Sequence, residues 1–168
     1  MLRRAFLKLG IASAVVLAVA GGAVALVQPG LVNGRMSESA RGTFGAIAKA
    51  IMDGNLPSEP GAAQTALNGL LDRIDGLIAG LPAHAQAELG QLLTLLPTAA
   101  GRLGITGLGT AWDKASVQEI QAALQSMRTS SLDVRQQTYA ALHDIVSGSY
   151  FSAPETWSIL AYPGPLSI

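Results

Sequence analysis

The sequence predicts an all-α protein: a compact domain of five or six helices with an extended aromatic and proline-rich C-terminal tail, preceded by an N-terminal signal or anchor helix. Three observations carry this. Past residue 37, apolar residues recur at spacings of three and four, with no sustained alternation of period two. Val and Ile, which favour strands, give way there to Ala, Leu and Gln. Breakers such as Gly80-Leu81-Pro82 separate the periodic stretches. A chain of 168 residues fits one such domain.

The first element is an address. Arg3, Arg4 and Lys8 crowd the start, and Leu9 to Val27 is a run of nineteen residues without a charge. A basic stretch ahead of an apolar one is a secretory signal pattern. At 1.5 Å per residue the run also approaches the width of a hydrocarbon core of about 30 Å. Arg3-Arg4-Ala5-Phe6-Leu7-Lys8 resembles the twin-arginine export motif, with Leu2 where Ser or Thr is usual. The apolar run holds Gly10, Gly21 and Gly22, in keeping with the milder hydrophobicity of that route. Ala23-Val24-Ala25 is a small-x-small cleavage site, so residues 1–25 read as a signal peptide. The alternative is an uncleaved anchor reaching to about residue 27, its basic end inside. Either address is the periplasm, at the outer face of the inner membrane. Three of the eleven basic residues lie in the leader, which leaves eight against eleven acidic ones. The exported part is mildly acidic.

The helical domain spans 37–149. Ser37 caps a first helix running to Met52, with Phe44, Ile47, Ala48 and Ile51 on one side; Asp53-Gly54-Asn55-Leu56-Pro57 stops it. A second helix follows Pro60-Gly61 to about Ala79, with an apolar stripe of Leu67, Leu70, Leu71, Ile74, Leu77 and Ile78. A third, Ala83–Leu96, carries Leu89, Leu92, Leu93 and Leu96 and makes a hairpin with the second. Pro97–Gly109, with four glycines, reads as a short or bent helix. Ser116-Val117-Gln118-Glu119 is a capping box opening a helix that buries Ile120, Leu124 and Met127. The last long helix, about Ser131 to Ser149, buries Leu132, Tyr139, Leu142, Ile145 and Val146.

Composition excludes much chemistry. Charged residues are 13%, against about a quarter in an ordinary soluble domain. High apolar content with no net charge argues against disorder. Eleven basic and eleven acidic residues create no general field for nucleic acid. Without cysteine there is no thiolate zinc site, iron–sulfur cluster or cysteine nucleophile in the chain. His84 and His143 form no Glu-x-x-His or His-x-x-x-His pair, and no serine sits in a Gly-x-Ser-x-Gly elbow. Asp72 and Asp75 flank Arg73 on what reads as a solvated face. The glycines at 101–109 read as packing or bending positions, since no strand precedes them. Arg102, Arg128 and Arg135 are anion contacts or ion-pair partners. No catalytic, cofactor-binding or metal-binding residue is assigned.

The aromatic distribution is uneven. Of eight aromatic residues, Tyr150, Phe151, Trp157 and Tyr162 fall in the 150–168 tail with Pro154, Pro163 and Pro165. Prolines stiffen an extended chain. Such a tail lies on its own helices, docks into a partner as a rigid anchor, or does both.

Trp112, Ser116-Val117-Gln118-Glu119-Ile120, Leu124, Arg128-Thr129-Ser130, Arg135-Gln136-Gln137, Tyr139, Leu142, Tyr150-Phe151, Pro154, Trp157 and Tyr162-Pro163-Gly164-Pro165 together resemble the small subunits of membrane-associated flavin dehydrogenases. These are similar to subunit 3 of gluconate 2-dehydrogenase and the gamma subunits of glucose, sorbitol and fructose dehydrogenases. The resemblance covers most of the chain after residue 37 and is densest over 112–165. It implies a subunit with no active site of its own. The partner it implies is an FAD-dependent large subunit of the glucose–methanol–choline type, often with an iron–sulfur cluster. A multihaem cytochrome c subunit would carry electrons onward. The small subunit's leader, through Arg3, Arg4, Phe6, Leu7 and Lys8, would engage the twin-arginine translocase and take the folded flavoprotein across with it. The residues assigned to partner contact are Trp112, Tyr150, Phe151, Trp157 and Tyr162. The competing reading is a stand-alone periplasmic helical domain that binds an apolar ligand in its Leu-rich core.

Overall fold

The computed structural model describes residues 28–165, and the leader, Arg3, Arg4, Phe6, Leu7 and Lys8 included, lies outside them. Among the described residues the chain is mostly helical, as the periodicity requires. Strands β1 (Leu31–Val32) and β2 (Arg35–Met36) form a small antiparallel hairpin, followed by α1 (Glu38–Ile51), α2 (Pro60–Ala79) and α3 (Ala83–Leu95). A single helical turn, α4 (Ala99–Gly101), widens into a π turn at Arg102–Thr106. Helices α5 (Val117–Arg128) and α6 (Asp133–Phe151) complete the bundle, and a 3₁₀ helix covers Pro154–Leu160.

Three of the long helices start at a side-chain cap. Ser37 accepts from the Ala40 amide at the head of α1. The Glu59 carboxylate accepts from Gly61 and Ala62, with Pro60 at the first helical position. The capping box at α5 forms reciprocally: the Ser116 hydroxyl accepts from the Glu119 amide, and the Glu119 carboxylate accepts from the Ser116 amide.

Helix α1 runs through the middle of the bundle, packed on α2, α5 and α6, while α6 also packs on α2 and α5. Phe44 and Ile47 of α1, Leu70, Ile74 and Ile78 of α2, Met127 of α5 and Leu142 and Val146 of α6 are fully buried together. Removing each such side chain from water is worth about 1.5–3 kcal/mol. Truncating Phe44 to Ala is therefore expected to cost roughly 3–5 kcal/mol.

Four differences from the sequence reading have physical reasons. The hairpin is a strand pair where none is expected: Asn33 (φ 52°) and Gly34 (φ 75°) both adopt the left-handed conformation, which a two-residue turn between strands demands. Leu77 lies outside the buried arc of α2 and is exposed. Leu132 is exposed as well, because it precedes α6 as its cap position. Finally, the tail is not extended over its described length. Helix α6 continues through Tyr150 and Phe151, so the boundary expected after residue 149 falls inside a helix, and 3₁₀ turns carry the chain on to Leu160.

Candidate functional site

The region that gathers most of the singled-out aromatics is the junction of α6 with the C-terminal 3₁₀ segment. Ala153 breaks the helix in an extended conformation, and Pro154 starts the next turn with its fixed φ. Thr156, buried, directs its hydroxyl at the carbonyls of Ala153 (2.7 Å) and Tyr150 (3.1 Å), which also accept from the backbone amides of Thr156 and Ala153. The Trp157 indole N–H donates to the Phe151 carbonyl at 3.0 Å. Trp157 also meets Tyr162 edge to face at 5.3 Å, and the Tyr162 amide donates to the Trp157 carbonyl. Gly164, at φ 97°, passes so near the indole that a Cβ there would lie 3.1 Å from its Cζ3. The segment is thus tied back on itself at four points.

Its outer side is apolar. Ile159, Leu160 and Tyr162 are 46%, 54% and 46% exposed on consecutive turns of a fixed backbone. Beside Ile159 opens a groove of about 810 Å³, walled by Leu56, Pro57, Ala62, Ala66 and Gly69. Arg73 and Glu155 face each other across it at 3.9 Å, and the Arg73 Nε donates to the Ser149 carbonyl at 2.8 Å. Deeper still, the Tyr150 hydroxyl donates to the Asn55 carbonyl at 2.6 Å, linking α6 to the loop after α1. Burial pushes the Tyr150 hydroxyl above its usual pKa, partly offset by the positive charge of Arg73.

The five aromatic residues assigned to a partner separate into two groups. Trp112 is 7% exposed, and its indole N–H donates to the Leu96 carbonyl at 2.7 Å. Tyr150 is 2% exposed and equally satisfied. Both are internal pins with the polar end paired inside the fold, and they reach the surface only as part of the groove walls, Tyr150 in the groove beside Ile159 and Trp112 in the one along α1. Phe151 and Trp157 are half-buried, and Tyr162 is the one largely exposed. Ile159 and Leu160 were not singled out in the sequence. Their signal was present, as an apolar pair between two aromatics in a segment with no helical stripe to satisfy.

A second groove, of about 800 Å³, lies between α1, α2 and the start of α5, floored by Gly42, Gly45 and Ala46. Two of the arginines are occupied by the backbone. Arg102 donates to the carbonyls of Leu108 and Gly109, and Arg135 to those of Ile105 and Thr106, so the glycine-rich turn is stapled from both sides. Arg128 donates to Gln125. Asp75 is not on a solvated face: it accepts from the Met36 amide and from Arg41, which also pairs with Asp72. His143 is exposed, stacked on Tyr139 and 3.5 Å from Asp144. Among the described residues no cluster of three or more His, Asp or Glu is arranged to hold a metal. No helix among them is long and apolar enough to cross a membrane.

No family model, curated protein or solved structure matches the chain.

Proposed function

We propose that this protein is a non-catalytic small subunit that escorts and stabilises an FAD-dependent sugar or alcohol dehydrogenase in a periplasmic, membrane-associated electron-transfer complex. The single observation that carries the reading is the apolar outer side of the C-terminal segment. Ile159, Leu160 and Tyr162 stand in water on a backbone already fixed by Thr156, Trp157 and Gly164. Apolar side chains held in place before binding lose little conformational entropy on docking, so they contribute more of their buried area to affinity. Around this stands the twin-arginine pattern of Arg3, Arg4, Phe6, Leu7 and Lys8, which belongs to a route for folded cargo. A flavoprotein must fold around FAD before it crosses, and a partner without a leader of its own needs one supplied.

In this reading the chain contributes binding and an address. FAD, an iron–sulfur cluster and haem c belong to the partner subunits, among them a multihaem cytochrome c. Trp112 and Tyr150 act indirectly, by keeping the bundle rigid beneath the docking surface. Arg73 and Glu155 offer one charge of each sign at its border.

The test is purification of the tagged protein from its host, read by flavin absorbance and dye-reducing dehydrogenase activity. The parent chain is expected to bring a flavoprotein with it. Ile159→Ser combined with Leu160→Ser and Tyr162→Ser, or a stop before Pro154, is expected to lose it. A colourless parent chain without dehydrogenase activity overturns the proposal. Retention of the flavoprotein by the triple variant overturns the docking surface.

A further inference from the structure

Helix α1 buries Phe44, Ile47 and Ala48 against α2, α5 and α6, and its other side lies open in the groove of about 800 Å³. Glu38, Gly42, Gly45 and Lys49 recur there at spacings of three and four. The walls are apolar: Leu67 and Leu71 from α2, Val117 and Ile120 from the start of α5. A Cβ on Gly42 would meet nothing within 4 Å, and one on Gly45 only the Leu71 Cδ1, at 3.6 Å. Glycine weakens a helix interior relative to alanine, and the chain's own packing does not require it at either position. What the two glycines provide is room for another backbone to come close to α1.

A second observation points to an occupant. Thr43 lines the groove and is 4% exposed, yet its hydroxyl has no hydrogen-bond partner among the described residues. The other eight threonines all donate, and Thr65, Thr94, Thr106, Thr129 and Thr138 do so to the carbonyl four residues back. An unpaired hydroxyl so nearly buried is unfavourable, and a polar side chain entering the groove would complete it.

The ends of the groove carry opposite charges. Glu38 stands in the first turn of α1 and Lys49 in its last, both exposed and neither in an ion pair among the described residues. Eleven positions separate them, a rise of about 16 Å, with Thr43 near the middle. Helices favour acids in the first turn and bases in the last. One laid antiparallel on α1 brings its basic end to Glu38 and its acidic end to Lys49. A parallel one sets like charges together.

We propose that this groove takes a helix of the partner subunit, antiparallel to α1, acidic in its first turn and basic in its last. Its buried face is apolar and bears, near the middle, a polar side chain that pairs with Thr43. The inference rests on the small-subunit reading given above and adds a second place at which that partner is held.

The complex purified from its host on the tagged full chain tests it. Gly42→Leu fills the groove from an open position, so the isolated chain is expected to unfold at the parent Tm or above it. The flavoprotein recovered is expected to fall by about tenfold or more. Thr43→Val keeps the shape and removes the hydroxyl. With no internal bond to lose, its Tm is expected to hold, while the flavoprotein dissociates about tenfold faster. A photo-crosslinking side chain placed at Glu38 or at Lys49 is expected to mark one helix of the flavoprotein, from Lys49 at its start and from Glu38 at its end. Flavoprotein held at the parent level and rate by both Gly42→Leu and Thr43→Val overturns the groove and leaves the small-subunit reading standing. Crosslinks to separate segments, or in the opposite order, overturn the antiparallel helix. A parent chain that brings no flavoprotein overturns both proposals.

Discussion

Replacing Trp112 by Phe separates an internal pin from a partner contact. Among the described residues the indole N–H is the only donor to the Leu96 carbonyl, at 2.7 Å, and Leu96 is fully buried. Phe keeps most of the ring's packing and leaves that carbonyl unpaired, which costs about 1–3 kcal/mol. Lost contacts of the second ring add to this, so about 2 kcal/mol is a conservative figure. Against a total stability of roughly 5–15 kcal/mol this is a large fraction. For a domain of this size it corresponds to a fall in Tm of about 6–8 °C. Thermal unfolding followed by circular dichroism at 222 nm, on the purified protein without any partner, measures it directly. Trp112→Ala is expected to fall further, by roughly 3–5 kcal/mol. An unchanged Tm for Trp112→Phe would refute the reasoning, because it would mean the indole N–H has no buried acceptor to lose.

Other outcomes follow from the same contacts. Tyr150→Phe removes the bond to the Asn55 carbonyl and is expected to cost about 1 kcal/mol in urea unfolding. Because burial raises the Tyr150 pKa, its contribution is complete below the ordinary tyrosine value and is lost as pH rises through the folded one. Alkaline unfolding should thus shift to higher pH in the Phe variant relative to its own neutral stability. Glu119 and Glu59 have lowered pKa values, chiefly through the amides of Ser116 and Gly61, and their stabilisation is present above the unfolded carboxylate value. It is lost as pH falls through the lower folded values, so Glu119→Gln is expected to flatten the acid side of a Tm–pH profile. Ser116→Ala removes the other half of the box and is expected to cost about 1 kcal/mol. Asp75→Ala frees the Met36 amide and leaves Arg41 with Asp72, and a loss of about 2 kcal/mol is expected, with faster hydrogen exchange at the Met36 amide.

The legible parts of this protein are those encoded by near neighbours in the chain. Helix starts were readable at Ser37, Pro60 and Ser116 because a cap acts on an amide two or three residues away. The stripe of Leu70, Leu71, Ile74 and Ile78 was readable because a helix repeats every 3.6 residues whatever it packs against. The Asn33-Gly34 turn is equally local, but the strands it joins, Leu31–Val32 and Arg35–Met36, are two residues each and too short to show a strand period. For the candidate docking surface, the sequence located the segment and its aromatic character without saying which side chains face out.

That last decision belongs to tertiary structure. Sequence alone determined a helical domain, low in charge and without cysteine chemistry. It could not tell Trp112 from Tyr162, since both are aromatic residues beside a proline or a glycine-rich stretch. What separates them is a single carbonyl, Leu96, sixteen residues from Trp112 and brought beside it only when the chain turns back after α3. Likewise Arg102 and Arg135 read as anion contacts or ion-pair partners until the fold surrounds them with backbone oxygens. Burial depends on what other segments cover, and hydrogen-bond partners are met only after those segments have packed. Local physics wrote the helices; long-range packing chose which residues remained outside to meet anything else.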